Sequence, residues 1–149
     1  MEREPHRDAK RPIADDSMLV DTSAWIEWLR ATGSPPDRIL TAAFERGDSL
    51  FVTGIVVQEV LQGRRDDGHA LELQHLLATC GWSEPVYPET YQHAAELYRR
   101  CRAAGRSVRG TVDCLIAAVA LERDMEVLAL DRDFKTLREV CGVRLVEAT

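Results

Sequence analysis

Four carboxylates fall at or just beyond the ends of apolar, strand-like segments, and that placement has chemical consequences. Asp21 follows Met18-Leu19-Val20, and Asp131 follows Val127-Leu128-Ala129-Leu130. Glu59 lies in a helical pattern after Leu50-Phe51-Val52-Thr53, and Asp113 opens an apolar helical run that reaches Leu121. In open parallel sheets, ligands bind in the crevice outside the carboxyl ends of the strands. Acids delivered there from distant parts of a chain would converge and repel, and divalent cations are the usual remedy. A Mg²⁺ or Mn²⁺ ion held by carboxylates and meeting phosphate supports phosphoryl transfer. The pattern predicts a metal-dependent nuclease.

The elements that must position these acids alternate strand and helix. After the strand Met18–Val20, Thr22-Ser23 can cap a helix with Trp25, Ile26 and Leu29 at helical spacing. Gly33-Ser34-Pro35-Pro36 breaks it, and Asp37–Arg46 reads as a second helix. A strand Leu50–Thr53 leads to a helix Ile55–Gln62, capped by Thr53 and stopped by Gly63. Arg64–Gly68 reads as a loop, Ala70–Thr79 as a helix, and Trp82–Tyr87 as a weak strand interrupted by Pro85. A long amphipathic helix Pro88–Ala104 precedes the Asp113 helix. Then come the strand Val127–Leu130, a helix Phe134–Val140 and a final strand Val143–Val146. This alternation predicts an α/β/α sandwich on a mainly parallel sheet.

With 149 residues the chain can bury one core. Residues 1–17 hold mixed charges, two prolines and one large aliphatic residue, Ile13, and are expected to form a disordered leader or an upstream-start extension. Met18 is an alternative start, and 18–149 the working domain. No run of 18 apolar residues and no apolar signal core is present, so no membrane role and a cytoplasmic location are expected. Cys80, Cys101, Cys114 and Cys141 are scattered without a C-x-x-C pair, which argues against a zinc site or a disulfide framework.

A net charge of −6 cuts against a stable nucleic-acid binder, which normally carries a basic face. Arg99, Arg100, Arg102, Arg106 and Arg109 form a local exception. The plainest reading of that run is a solvated helix face, with Arg106 and Arg109 of more interest because they precede the Asp113 helix.

Met18-Leu19-Val20-Asp21-Thr22-Ser23-Ala24-Trp25, Val57-Gln58-Glu59-Val60, Val112-Asp113-Cys114-Leu115-Ile116-Ala117-Ala118 and Leu130-Asp131-Arg132-Asp133-Phe134 resemble the PIN-domain family. Within it they look most like the VapC-type toxins of bacterial toxin–antitoxin pairs. The resemblance runs over about residues 18–146. It implies a Mg²⁺- or Mn²⁺-dependent endoribonuclease, blocked by a cognate VapB-type antitoxin whose C-terminal segment wraps over it, and commonly a homodimer. The implied catalytic set is Asp21, Glu59, Asp113 and Asp131, with Asp21, Asp113 and Asp131 as metal ligands and Glu59 orienting water or a second metal. Thr22 or Ser23 would steady Asp21.

Each acid also has a plainer reading. Asp21 can be a helix N-cap, and Asp113 can answer the helix dipole. Glu59 can pair with an arginine such as Arg64. Asp133 competes with Asp131, as a helix cap or an auxiliary ligand. His6, His69, His75 and His93 lack metal-motif spacing, and no nucleotide-binding glycine loop occurs. Of Trp25 and Trp28, one is expected in the core and the other at a partner surface. A haloacid-dehalogenase-type phosphatase would need a second aspartate where Ser23 stands. A receiver domain would need an acidic pair after the first strand. The remaining rival is a non-catalytic PIN-like scaffold.

Overall fold

A computed structural model describes residues 17–147. The leader expected over residues 1–17 lies outside the described residues except for Ser17. Four strands form one parallel sheet in the order β3-β2-β1-β4. They are β1 (Met18–Val20), β2 (Leu50–Val52), β3 (Gly81–Trp82) and β4 (Glu126–Leu128). Among the described residues six helices connect them and a seventh follows β4: α1 (Thr22–Leu29), α2 (Pro35–Arg46), α3 (Gly54–Gln62), α4 (Asp67–Ala78), α5 (Glu89–Ala103), α6 (Thr111–Glu122) and α7 (Asp133–Cys141). α1 to α4 pack as one group and α5 to α7 as another, giving the expected α/β/α layers.

The strands are short and apolar on both faces, as a sheet covered by helices requires. Leu19, Val20, Val52 and Val127 are fully buried, together with Trp25, Leu97, Ile116 and Phe134 from the helices. α6 carries Ala117, Ala118 and Ala120 on a helix buried almost all round, where small side chains let its neighbours approach closely. Phe134 anchors the first turn of α7. Truncating such a buried ring costs about 3–5 kcal/mol, so the residues beside it are firmly placed.

Several boundaries differ from expectation for local reasons. α2 starts at Pro35, not Asp37, because proline is well suited to a first helical turn and Ser34 takes the cap position. α4 starts at Asp67, because the Asp66 side chain accepts from His69 N at 3.0 Å and caps a turn inside the expected loop. Thr53 occupies the cap position of α3, but its hydroxyl makes no capping bond; Glu84 Oε1 accepts from Gly54 N instead, at 2.5 Å. That contact, and the Glu84 carbonyl accepting from Arg123 Nη2 at 2.9 Å, turns the chain away after Ser83, so β3 stops at Trp82. The last expected strand shrinks to one bridge, Val127 with Leu145.

The sheet order places the chain reversal between β1 and β4. β1 to β2 to β3 steps one way, and the α5–α6 connection carries the chain back across to β4. Such a switch point opens a crevice at the strand ends. Asp21 leaves β1 and Asp131 follows β4 at that crevice.

Candidate metal centre

The β1 side of the crevice is tied by hydroxyls. Asp21 is only 4% exposed and stands at the N-cap of α1. Its Oδ2 accepts from Ser23 N at 3.1 Å and from Ser23 Oγ at 2.6 Å. Capping therefore falls to Asp21 itself rather than to Thr22 or Ser23, while Ser23 supplies the steadying hydroxyl. The same Ser23 Oγ accepts from Leu130 N at 2.9 Å, so one side chain joins the β1–α1 turn to the segment that delivers Asp131. Thr22 Oγ1 donates to Glu59 Oε1 at 3.1 Å across 37 residues of sequence. Glu59 is thus turned toward the β1 end; among the described residues it forms no ion pair with Arg64.

The β4 side is built from acids. Asp113 lies in the first turn of α6, half-buried. Gly110 is its neighbour, and a Cβ there would sit 3.1 Å from Asp113 Oδ2, so a side chain at 110 would push on the carboxylate. Asp131 is exposed and its Oδ1 accepts from Asp133 N at 2.9 Å, starting α7. Asp133, 6% exposed, turns back and accepts from the Arg109 main-chain N at 3.0 Å. Arg106 donates to Glu139 and to Thr136 Oγ1, fastening the α5–α6 connection to α7. One carboxylate oxygen from each of Asp113, Asp131 and Asp133 lies within 4.8 Å of the others.

Five acids thus meet at the switch point, and the electrostatic strain is concentrated at one of them. The Asp113 carboxyl is pushed up to about 8, first by burial and then by the charges of Asp21, Asp131 and Asp133. Asp113 also shares a hydrogen bond with Asp131, which favours its protonated form. Burial likewise raises Asp21, opposed by its bonds to Ser23, with the Glu59 charge adding a little. Crowded carboxylates that retain protons without a counter-charge fit a divalent cation: all donors are hard oxygens, and several reach one point.

All four acids expected from the sequence reach this crevice. The tight triad, however, joins Asp113 and Asp131 to Asp133, which the sequence ranked second to Asp131. Asp21 lies outside that triad, although its charge is the strongest of the neighbours acting on Asp113. Sequence reasoning passed over Gly110, Glu84 and the Arg109 main chain. Only the first left a signal, as a glycine directly before a helix whose first turn carries an acid. Trp25 is the core tryptophan, and Trp28 is half-buried against Trp25 and Phe44, with ring centroids at 5.8 and 5.1 Å.

The sequence pattern of the PIN domain matches residues 18–140, covering all five acids. A VapC ribonuclease of Mycobacterium bovis is 30% identical over 128 residues, 85% of this chain and 96% of that protein. Ribonuclease VapC11 of Mycobacterium tuberculosis matches to the same extent. Among solved structures, VapBC2 from Rickettsia felis, bound to a promoter DNA fragment, superposes with a TM-score of 0.68 at 13% identity. It covers 87% of this chain and 97% of that one. VapBC-5 from Mycobacterium tuberculosis gives a TM-score of 0.64 at 22% identity over 89% of this chain and 98% of its own. These structural likenesses speak to the fold; the sequence match speaks to descent. The chain belongs to the PIN-domain family, among its VapC ribonucleases.

Proposed function

We propose that this chain is the toxin of a toxin–antitoxin pair, an endoribonuclease that cuts RNA phosphodiesters with Mg²⁺ or Mn²⁺. The observation that carries the reading is the meeting of Asp113, Asp131 and Asp133 beside Asp21 and Glu59, in a chain whose relatives are ribonucleases. A bound divalent cation supplies charge stabilisation at a phosphate oxygen and a lowered pKa for an attacking water. Asp21, Asp113 and Asp131 would hold it, and Asp133 stands close enough to join them. Ser23 keeps Asp21 in place, and Gly110 leaves room for Asp113. Glu59, held by Thr22, orients the water that attacks in line. Attack by water rather than by the RNA 2′-hydroxyl leaves a 5′-phosphate and a 3′-hydroxyl.

The protein partner in this reading is a VapB-type antitoxin. Trp28, Leu29, Leu73 and Leu76, together with Arg64, His69 and Glu72, line a groove of about 300 Å³ between α1 and α4, a surface of apolar and charged side chains suited to a partner's segment. Among the described residues no helix is long and apolar enough to cross a membrane. The cytoplasm, where an RNA substrate and an antitoxin would be met, is the matching location.

The test is direct. Purified chain is incubated with transfer, ribosomal and messenger RNA with Mg²⁺, with Mn²⁺ and with EDTA, and the new ends are mapped. Cleavage that needs the metal and leaves 5′-phosphates is expected. Metal-independent cleavage, or 2′,3′-cyclic ends, would contradict the proposal.

A further inference from the structure

The four cysteines show no paired spacing in the sequence, yet the fold brings two of them into contact. Cys101 lies near the end of α5 and Cys141 closes α7, 40 residues later, and their Sγ atoms are 3.9 Å apart. Among the described residues no other two sulfurs make contact. Cys101 is fully buried, whereas Cys141 is only half-buried, so a small molecule arriving from solvent meets Cys141 first. The Cys141 Sγ also lies 3.9 Å from the Leu97 carbonyl, one turn before Cys101, so the end of α7 rests on that face of α5. Arg106, from the connection after α5, reaches the same helix through Glu139 and Thr136. Between the two cysteines run all of α6 and β4, and with them Asp113, Asp131 and Asp133. A bond between the two sulfurs would close a loop around the whole β4 side of the acid crevice.

We infer that Cys101 and Cys141 are a reversible thiol–disulfide pair, which closes when a low-molecular-weight disulfide accumulates and clamps α5 to α7. The reaction runs in two exchanges. The Cys141 thiolate attacks one sulfur of the small disulfide, expels one small thiol and forms a mixed disulfide. The Cys101 sulfur then attacks Cys141, gives up its proton and expels the second small thiol. Two protein thiols are oxidised by two electrons, and the small disulfide is reduced to two thiols that take up both protons. Closure to a disulfide's S–S distance of about 2 Å follows a contact the two side chains already make. Burial, and then the Cys101 sulfur, pushes the Cys141 thiol up to about 11, with Arg100 opposing. At neutral pH only about one Cys141 in ten thousand is then a thiolate, by a factor of ten per pH unit. The pair therefore answers a sustained change in thiol–disulfide balance and ignores a brief one. Disulfides in reducing compartments are of this transient kind. Closing the loop restrains the unfolded chain, so the crevice with its crowded acids stays assembled at temperatures that melt the reduced protein.

The wild type, in EDTA so that no metal adds stability, is equilibrated with mixtures of reduced and oxidised glutathione. Free thiols are then blocked with iodoacetamide in denaturant and the chain is digested. Mass spectrometry should recover the Cys101 peptide joined to the Cys141 peptide within one chain, and dithiothreitol should undo the link. The oxidised chain should melt at least about 5 °C higher than the reduced one, as for a closed loop of this length. Cys101→Ser should keep glutathione on Cys141, because no second sulfur is there to expel it, and should gain no such stability. Should that variant fail to fold, the wild-type peptide map and melts decide alone. Alkylation of both Cys101 and Cys141 throughout the series would overturn the inference. So would a link through Cys80 or Cys114 instead, or a Cys101–Cys141 link that leaves the melting temperature unchanged or lower.

Discussion

The two sides of the acid crevice are built by opposite means. On the β1 side each acid has a hydroxyl partner: Ser23 for Asp21 and Thr22 for Glu59. On the β4 side the partners of Asp113 are other acids, and its carboxyl is held protonated far above the normal range. The first side is ordered by the fold alone; the second is left in conflict without a counter-charge. A protein relieved of that conflict would be more stable and less active, which is the usual trade at strained functional sites.

The comparison breaks most visibly if the conflicted side proves dispensable. Asp113→Asn should lower the RNA cleavage rate at least about a hundredfold, as with other losses of charge stabilisation at a reacting phosphate. Rates measured under single-turnover conditions check this, and wild-type activity would remove Asp113 from the site.

On the ordered side the effects should be smaller and shared between stability and rate. Ser23→Ala removes the 2.6 Å bond to Asp21 and the acceptor for Leu130 N. About 1–2 kcal/mol of stability should go, by the usual cost of a buried bond whose partners stay behind. A roughly tenfold fall in rate should accompany it, in line with a loss of that size at the reacting centre. Denaturant melts and single-turnover rates on the same preparation separate the two.

pH probes the β4 side through Asp113. Because the Asp113 carboxyl is raised from 3.8 to about 8, the metal-free fold keeps a proton that the unfolded chain has already released between those values. Its contribution to stability is therefore full below about pH 4 and is lost as pH climbs toward 8. Melting temperatures in EDTA should fall over that window in the wild type and fall less in Asp113→Asn. A slope unchanged by the substitution would mean that Asp113 does not carry the strain. The smallest effect belongs to Thr22→Val, which frees Glu59 without touching Asp21. It should cost under about 1 kcal/mol, since a part-buried neutral donor is lost to a carboxylate that water can still reach. Its cleavage rate should fall only a few-fold.

Legibility from sequence followed the same division. β1 and its acid were readable because Met18-Leu19-Val20-Asp21-Thr22-Ser23 puts an apolar strand, an acid and two hydroxyls in one short stretch. The α6 acid was readable because Asp113 leads an otherwise apolar helix. The sequence favoured Asp131 over Asp133 and did not foresee that both join Asp113, since two residues so close together point in directions set by contacts with Arg109 and with each other. Glu84 escaped notice because its capping of α3 spans 30 residues and depends on where β3 stops. The strand ends were overrun for a related reason: Pro85 and the turn at Glu84 end β3 early, and beyond α7 the chain meets β4 in the single Val127–Leu145 bridge, bonded through Arg144 O and Val146 N.

Thermal melts of the wild type and Asp113→Asn at neutral pH, each in EDTA and in saturating Mg²⁺ or Mn²⁺, test most directly whether the acids converge to hold a cation. Without metal, Asp113→Asn should be the more stable protein, by about 1 kcal/mol as for other relieved sites. With metal, the wild type should rise clearly in melting temperature, because only the folded chain assembles the ligands. Asp113→Asn should rise much less. Equal shifts in the two proteins would mean that Asp113 holds no metal and serves only the dipole of α6.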